Sequence, residues 1–366
     1  MKEEDVRNSP RRPSQADVGR RAGVTAATVS WALRNDPRIP AATQQRVLRA
    51  AEELGYTPDP VLAALVARRD RHRSRVTSSN LAALVDDRWQ AERMRSWHRS
   101  FINGMKRACE RLGYALDVLQ IQADLGANRQ PDRIMHGRGI RGMVLLPLQS
   151  HDVPLCLKGV KWERFSIVVV GNPPESLPFH RVGSDAFNAM HIACNRLREL
   201  GYRRIGLAHA LIAEQRLRYE WLGAMSKELF APDAVDGSRL EIVPPCLPED
   251  FCERTFTEWV RVNRPEAVVG NDPAILEWLP ANGWSIPRDI GVALLNRDSV
   301  DTPVAGISQH LDISGETAVE QLHTLLLRGE TGFPEIPREV LIRPHWVDGP
   351  TLRKPRRSAA HSPGAT

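Results

Sequence analysis

The sequence has few features of a membrane or secreted protein. No apolar run in its 366 residues approaches the roughly 18 that span a bilayer, and the charged stretch from Met1 to Pro13 has no apolar core of a signal peptide. The five cysteines are scattered and odd in number, so we expect a reducing compartment and thiols that act as small buried hydrophobes. We therefore expect a cytoplasmic protein without a membrane partner.

The sequence also lacks the common signatures of catalysis. It contains no Gly-x-Gly-x-x-Gly, no P-loop, no Gly-x-Ser-x-Gly and no His-Glu-x-x-His. Cys246 and Cys252 have no second cysteine or histidine pair nearby, so no metal site is predicted. Four histidines lack partners at an informative spacing: His98, His180, His209 and His310. We expect no enzyme and no cofactor, and turnover of any small molecule would contradict this.

Positive charge is concentrated at the start of the chain. Residues 1–75 contain 15 Lys and Arg but 9 Asp and Glu, whereas the remaining 291 residues contain 35 of each sign. The whole formal charge of +6 therefore lies in one fifth of the chain. Such a localised surplus is typical of a surface that binds phosphates.

Residues 14–54 predict three short helices. Ser14 and Asp17 form a capping-box-like pair, and Gly23 stands where a left-handed residue ends the first helix. Thr25 caps the second helix, whose buried stripe is Val29 and Leu33. The third helix covers about 41–54. Small or hydrogen-bonding side chains occupy the outward face of the second helix: Ala26, Ala27, Thr28, Ser30, Trp31 and Arg34.

Two interpretations fit these helices. A small amphipathic bundle without any DNA function is common, and its apolar area predicts marginal stability. The spacing also matches a helix-turn-helix reader of the major groove, and the charge surplus favours that interpretation.

Residues 17–58 resemble the lactose-repressor (LacI/GalR) family of bacterial transcription regulators. The resemblance rests on two motifs, Asp17-Val18-x-x-x-Ala22-Gly23-Val24-Thr25-x-x-Thr28-Val29-Ser30 and Glu53-Leu54-Gly55-Tyr56-x-Pro58. It implies a homodimer on double-stranded operator DNA and a hinge helix after Pro58 with a minor-groove wedge at Leu65. It also implies that the second helix contacts DNA through Thr25, Ala26, Ala27, Thr28, Ser30, Trp31 and Arg34. Trp31 stands where the family usually has an arginine, and its alternative role is packing.

From residue 80 onward, short apolar runs alternate with amphipathic helical patterns, which predicts a parallel α/β fold. Strands are predicted at 81–85, 114–119, 142–146, 165–170, 204–209, 267–270 and 291–295. Helices are predicted near 97–112, 185–200, 213–229, 250–262, 273–282 and 311–328. Pro/Gly-rich breaks at 171–174, 301–303 and 329–337 predict three crossings between two lobes. The resemblance implies a periplasmic-binding-protein-like (type I) effector domain, with a small ligand such as a sugar between the lobes.

The resemblance also implies which residues face the effector: Asp185, Arg218, Asp272, Asn296 and Gln309. Arg218 could hold a carboxylate or a hydroxyl pair, although a surface or lobe–lobe ion pair is the alternative role for these residues. Trp89, Trp97 and Trp221 could stack on a sugar ring or fill the core. Leu295-Asn296-Arg297 replaces the family's usual glycine-aromatic-aspartate run.

These observations predict five segments and one function. The segments are a disordered N-terminus (1–13), an all-α helix-turn-helix domain (14–59), a hinge helix and basic linker (60–79), a two-lobed effector and dimerisation domain (80–350), and a disordered basic tail (351–366). The function is a bacterial, cytoplasmic, nucleoid-associated transcription regulator, most simply a repressor. The alternative is a ligand-independent DNA-binding regulator whose α/β body serves only for dimerisation.

Overall fold

The computed structural model describes residues 13–33, 39–56, 80–87, 95–126, 130–148, 153–230, 239–299 and 303–354. These residues fall into two compact units that divide near residue 77. Within these ranges no helix is long and apolar enough to cross a membrane. The same ranges contain no cluster of three His, Cys, Asp or Glu side chains suited to a metal ion. The predicted hinge helix, the N-terminal arm to Arg12 and the tail beyond Lys354 lie outside the described residues.

The first unit contains three helices, α1 (Gln15–Ala22), α2 (Ala26–Ala32) and α3 (Ala41–Glu53). The predicted caps are confirmed. The Ser14 side chain and Asp17 form a capping box, Gly23 ends α1 in the left-handed region with φ 69°, and the Thr25 side chain accepts a hydrogen bond from the Thr28 amide. These three helix ends are therefore determined by residues within a few positions of each other.

The centre of the first unit contains only small side chains, and larger ones such as Leu54 and Tyr56 are partly buried around it. Its fully enclosed residues are all valine or alanine: Val18, Ala22, Val29, Ala32, Val47, Ala50 and Ala51. The turn between α1 and α2 is equally tight, because a Cβ on Gly19 would lie 2.7 Å from the Val24 carbonyl oxygen. Short side chains bury little apolar area, so this unit has a small stability margin.

The second unit contains twelve described strands. Their bounds are β1 Asn80–Val85, β2 Ala115–Gln120, β3 Ile140–Leu145, β4 Ser166–Val170, β5 His180–Ser184, β6 Arg204–Ala208, β7 Glu241–Ile242, β8 Ala267–Gly270, β9 Gly291–Leu294, β10 Gly306–Ser308, β11 Glu339–Ile342 and β12 His345–Val347. They form two six-stranded sheets, in the orders β11-β5-β4-β3-β1-β2 and β12-β10-β9-β8-β6-β7. All neighbours are parallel except β12, which runs antiparallel to β10. We call the first sheet and its helices lobe 1 and the second lobe 2.

Ten described helices accompany these sheets. Their bounds are α4 Arg95–Leu112, α5 Ile121–Leu125, α6 Pro131–Gly137, α7 Leu155–Lys158, α8 Ala186–Glu199, α9 Leu211–Arg216, α10 Glu220–Ser226, α11 Glu253–Asn263, α12 Ile275–Ala281 and α13 Leu311–Arg328. All seven predicted strands are present, with ends shifted by at most two residues. The single helix predicted at 213–229 is wrong: Arg218 and Tyr219 have positive φ angles and separate α9 from α10.

The chain crosses between the lobes three times, as predicted, but not at the predicted breaks. It leaves lobe 1 after β5, returns after β10 and crosses again between β11 and β12. The breaks at 171–174 and 329–337 are loops within lobe 1, where Gly171 donates to the Val182 carbonyl and Gly332 to the Phe165 carbonyl. Proline and glycine mark any turn of the chain, so they do not distinguish a crossing from a loop.

In lobe 1, helices α4 and α13 pack with their backbones in close approach. A Cβ on Gly104 would lie 1.8 Å from the Asp312 carbonyl oxygen, so only glycine fits there. Arg107 joins the same helices through Asp312 at 2.8 Å and Glu316 at 2.7 Å. These ion pairs are about half exposed and add little stability, so the glycine contact determines the helix spacing.

The chain remains packed beyond the predicted end of the body at residue 350. Leu352 is 5% exposed within the core of lobe 2, and the Arg353 guanidinium lies over the Tyr202 ring, 4.6 Å from its centroid. The Val292 amide donates to the Thr351 carbonyl at 2.9 Å. One buried leucine among polar neighbours was too weak a signal to be predicted as core.

Candidate DNA-binding surface and effector cleft

The outward face of α2 carries most of the predicted DNA-contacting residues. Thr25, Ala26, Ala27 and Trp31 are exposed, whereas Thr28 and Ser30 are half-buried. Behind them Val29 and Ala32 are completely buried and fix the rotation of the helix. Arg34 and Leu65 lie outside the described residues. The geometry thus presents a shallow row of small side chains that ends in one exposed indole.

Cationic side chains surround α2 but do not lie on it. No charged residue occurs from Thr25 to Leu33. On α1, Arg20 is 76% exposed beside Asp17, and Arg21 is 61% exposed and pairs with Glu53 at 2.7 Å. On α3, Arg46 and Arg49 are exposed. The unit therefore separates charged groups suited to phosphates from the uncharged face of α2.

Most predicted effector residues lie just beyond the carboxyl ends of strands, but they serve the fold itself. Asp185 follows β5 and caps α8 by accepting from the Asn188 amide at 3.0 Å. Asp272 follows β8 and accepts from the Ala274 amide at 2.9 Å. Asn296 is buried, and the buried Gln309 donates to the Leu295 carbonyl. These bonds shape the strand ends that border the space between the lobes.

Arg218 belongs to a charged cluster that includes residues of both lobes. Arg181 of β5 binds Glu339 of β11 at 2.7 Å and also the Asn172 side-chain oxygen. The hydrogen bond from Arg181 lowers the pKa of Glu339, and the positive charge of Arg218 lowers it further. In lobe 2, burial raises the pKa of Glu220, while Arg181 and Arg218 act in the opposite direction. Carboxylates and guanidinium groups thus face each other close to the first crossing.

Asp185 lies close enough to this cluster to raise the pKa of Glu220 further. The structure therefore brings two predicted effector residues, Asp185 and Arg218, towards each other. Sequence reasoning missed Arg181, Glu220 and Glu339. The Arg181 and Glu339 positions are 158 residues apart and lie on strands that were not predicted, so no local signal joined them.

The two lobes also touch directly. The guanidinium of Arg216, in α9, donates to the Leu148 carbonyl at 3.3 Å. Leu148 follows β3 in lobe 1 and is buried there. This contact spans the cleft at the carboxyl ends of the strands, where a change in lobe spacing would break it.

A buried histidine–glutamate pair lies at the end of β6. His209 Nε2 and Glu214 Oε2 are 2.8 Å apart, and both side chains are almost fully enclosed. Glu214 also accepts from the Leu222 amide at 2.8 Å. Trp221 packs edge-on against His209 with 5.2 Å between ring centroids and is 3% exposed, so it fills the core of lobe 2. Trp89 and the Trp97 side chain lie outside the described residues.

A pair of histidines joins the second and third crossings. His310 Nε2 and His345 Nδ1 are 2.8 Å apart, and their rings stack. Asp298 organises the same segment by accepting from the Ser308 hydroxyl and from the Gln309 and His310 amides. His209 and His310 thus have partners, Glu214 and His345, at spacings that carry no information in the sequence.

Three of the five cysteine thiols are buried core groups, Cys109, Cys194 and Cys246, whereas Cys156 and Cys252 are only partly buried. Burial raises the pKa of Cys109 to about 11 and those of Cys194 and Cys246 to about 12. Such thiols remain protonated near neutral pH and act as small hydrophobes.

Comparison with known proteins relates the N-terminal unit to a family. A family model described as bacterial regulatory proteins of the lacI family matches residues 16–59. The N-terminal unit is therefore similar to this family of bacterial regulatory proteins.

The curated relatives are distant. PtxS of Pseudomonas plecoglossicida, an HTH-type transcriptional regulator, is 26% identical over 62% of this chain and 62% of its own length. The HTH-type transcriptional repressor PurR of Aliivibrio fischeri is 23% identical over 84% of this chain and 89% of its own length. The chain spans less than two thirds of PtxS and 52% of DegA from Bacillus subtilis. All three are named as HTH-type transcriptional regulators or repressors.

Solved structures of transcription regulators share the fold. The lac repressor dimer bound to operator and the anti-inducer ONPF has a TM-score of 0.55 and 17% identity, covering 94% of this chain and all of that one. The CelR–cellobiose complex has a TM-score of 0.54 and 19% identity, with 93% and 100% coverage. These matches confirm the predicted fold, a helix-turn-helix domain followed by a type I two-lobed body. We call the domain that contains α1, α2 and α3 the headpiece.

Proposed function

We propose that this chain is a LacI-family transcriptional repressor that binds a pseudo-palindromic operator as a homodimer in the bacterial cytoplasm. The observation that carries the proposal is the exposed, uncharged face of α2 within residues 1–75, the segment that contains the whole charge surplus. A helix with small outward side chains can enter the major groove, and the surrounding arginines can neutralise phosphates.

Selection from a randomised DNA duplex pool tests this proposal. Full-length protein should enrich a sequence with two related half-sites, because two identical headpieces read the same bases on opposite strands. Failure to enrich any sequence would contradict the proposal, and so would an enriched site without dyad symmetry.

The hinge makes a separate prediction about the DNA. Replacing Leu65 by Ala should reduce the operator bend and weaken specific binding, because an apolar wedge unstacks base pairs in the minor groove. Leu48→Ala, which removes an exposed leucine of α3, is the matched control. An unchanged bend angle in the Leu65 variant would refute the role of this residue.

We further propose that a small molecule, such as a sugar or sugar derivative, binds between the lobes and changes DNA affinity. The charged cluster of Arg218, Arg181 and Glu339 provides both donors and acceptors for hydroxyl or carboxylate groups. Closing the lobes on a ligand would alter the Arg216–Leu148 contact and bias the hinge.

Thermal melting against sugars, nucleosides and sugar acids tests the effector. A true cleft ligand at 100 times its Kd should stabilise the body by about 2.7 kcal/mol. Arg218→Ala should abolish that shift, whereas Arg288→Ala, which changes an exposed arginine in another loop, should retain it.

The second candidate is a regulator whose body responds to no ligand. One observation favours it: Asp185, Asp272 and Gln309 already hydrogen-bond to neighbouring backbone. In that case no compound in the library shifts the melting temperature, while operator selection still succeeds.

A further inference from the structure

The outward face of α2 has no group that makes a bidentate contact with a purine base. Arg and Lys pair with guanine, and Asn and Gln with adenine, through two parallel hydrogen bonds. None of these four residue types occurs from Thr25 to Leu33. The available groups are hydroxyls, two alanine methyls and one indole.

The rotation of α2 places the apolar groups together. Val29 and Ala32 are completely buried and therefore define the inward side of the helix. Ala27 and Trp31 are four residues apart on the opposite side, so they are neighbours along one ridge. Both are exposed, and Trp31 retains 43% of its surface. The most prominent part of this outward side, which we call the reading face, is thus a methyl followed by a large aromatic ring.

The major groove offers one apolar group to such a ridge. Among the base edges, only thymine presents a methyl, at C5, and side chains such as alanine and phenylalanine contact it directly. The indole has a single N–H donor and a wide apolar face, so it gains more from a methyl than from a polar edge. The absence of a β-branched or long residue at positions 26 and 27 lets the backbone approach closely.

The charged groups suited to phosphate contacts lie on helices other than α2. Arg20, Arg46 and Arg49 are exposed on α1 and α3. Contacts from these residues to phosphates position the headpiece without reading sequence. Removing a methyl contact should therefore change which sequence is preferred and leave the salt dependence of binding unaltered.

We propose that the ridge of Ala27 and Trp31 reads thymine 5-methyl groups, so that the positions of each half-site that face α2 are A·T pairs. This inference rests on the proposed function, because it concerns the bases that the same headpiece selects. It identifies Trp31 as a specificity-determining residue.

The test replaces thymine by deoxyuracil, which removes the methyl and leaves the hydrogen-bonding edge unchanged. The full-length protein first selects its site from a randomised duplex pool. Each thymine of the enriched duplex is then replaced singly, and Kd is measured. We expect one or two positions per half-site at which binding weakens roughly three- to five-fold, the effect of losing one buried methyl.

Variants of Trp31 connect the methyl to the side chain. In Trp31→Ala the deoxyuracil effect at one position should disappear, and in Trp31→Phe it should persist because the apolar face is retained. Leu48→Ala changes an exposed apolar residue of α3 and should keep the wild-type pattern. Selection with Trp31→Arg should shift a position towards guanine.

Three outcomes are decisive. Guanine–cytosine pairs at the half-site positions that face α2 would overturn the inference while leaving the proposed function intact. Deoxyuracil substitution without effect on the wild-type protein would do the same, whether or not the variants fold. Failure to enrich any duplex would instead overturn the proposed function, and this inference with it.

Discussion

Replacing Val47 by Ala should destabilise the headpiece selectively. Val47 is completely buried in α3 among six other valines and alanines, on a helix that does not carry the reading face. The change removes two methyl groups, which costs about 1.6 kcal/mol in transfer free energy, and the remaining cavity raises this to about 2 kcal/mol. A unit this small has a core worth roughly 3–5 kcal/mol at most. The unfolded headpiece population should therefore rise about thirty-fold.

Hydrogen exchange with peptide-level mass spectrometry measures this directly. Amides of α1, α2 and α3 should exchange about thirty-fold faster in Val47→Ala, while peptides of the two lobes keep their wild-type rates. Leu48→Ala is the matched control, because Leu48 follows Val47 in the same helix but is 47% exposed. Equal protection of the headpiece in the two variants would refute the reasoning that its small core limits its stability.

Other predictions concern the body. Gly104→Ala should destabilise the body by about 1–3 kcal/mol in urea unfolding, because the new methyl overlaps backbone. The control Gly223→Ala, whose Cβ meets nothing within 4 Å, should stabilise it by up to about 1 kcal/mol. A Gly104 variant more stable than the Gly223 variant would contradict the packing of α4 on α13. Glu214→Ala should cost about 1–3 kcal/mol because it leaves the Leu222 amide without its acceptor, and an unchanged free energy of unfolding would contradict this role of Glu214. Burial and the nearby Arg338 lower the pKa of His180 below 6.5. The neutral histidine therefore contributes fully to the free energy of unfolding above pH 6.5, and this contribution is lost as the pH falls below that value. Melting temperatures of His180→Gln should depend less on pH between 7.5 and 5.5 than those of the wild type.

Local features of this chain were predictable from sequence, and nonlocal ones were not. The caps at Ser14, Gly23 and Thr25 involve residues within four positions, so their side chains alone specify the helix ends. Continuous apolar runs such as β4 and β8 are buried on both faces and were found for that reason.

Two of the five strands that were not predicted, β5 and β11, depend on distant contacts. β5 begins with His180 and Arg181, two buried polar residues whose partners are Arg338 and Glu339, in β11 and the segment just before it. β11 itself is an edge strand with an exposed, unremarkable pattern. A partner 158 residues away decides both assignments, and a pattern confined to a short window contains no information about it.

The site followed the same division. The outward face of α2 was predictable because helical periodicity fixes which residues oppose Val29 and Ala32. The effector positions came only from the family resemblance, and their surroundings differ from a simple open cleft. Arg218 lies at a break between α9 and α10 with a positive φ angle, and its neighbours are charged residues of the other lobe. Tertiary contacts created that cluster, so the sequence pattern of a helix at 213–229 was misleading.

The salt dependence of operator binding tests the central claim most directly. Each phosphate that the headpiece neutralises contributes about −0.9 to the slope of log K against log salt concentration. With only four neutralised phosphates, affinity for the selected duplex should fall about a hundredfold between 50 and 200 mM salt. Such a slope would support a DNA-binding surface built by the basic N-terminal unit. An affinity that is unchanged across this range would contradict it.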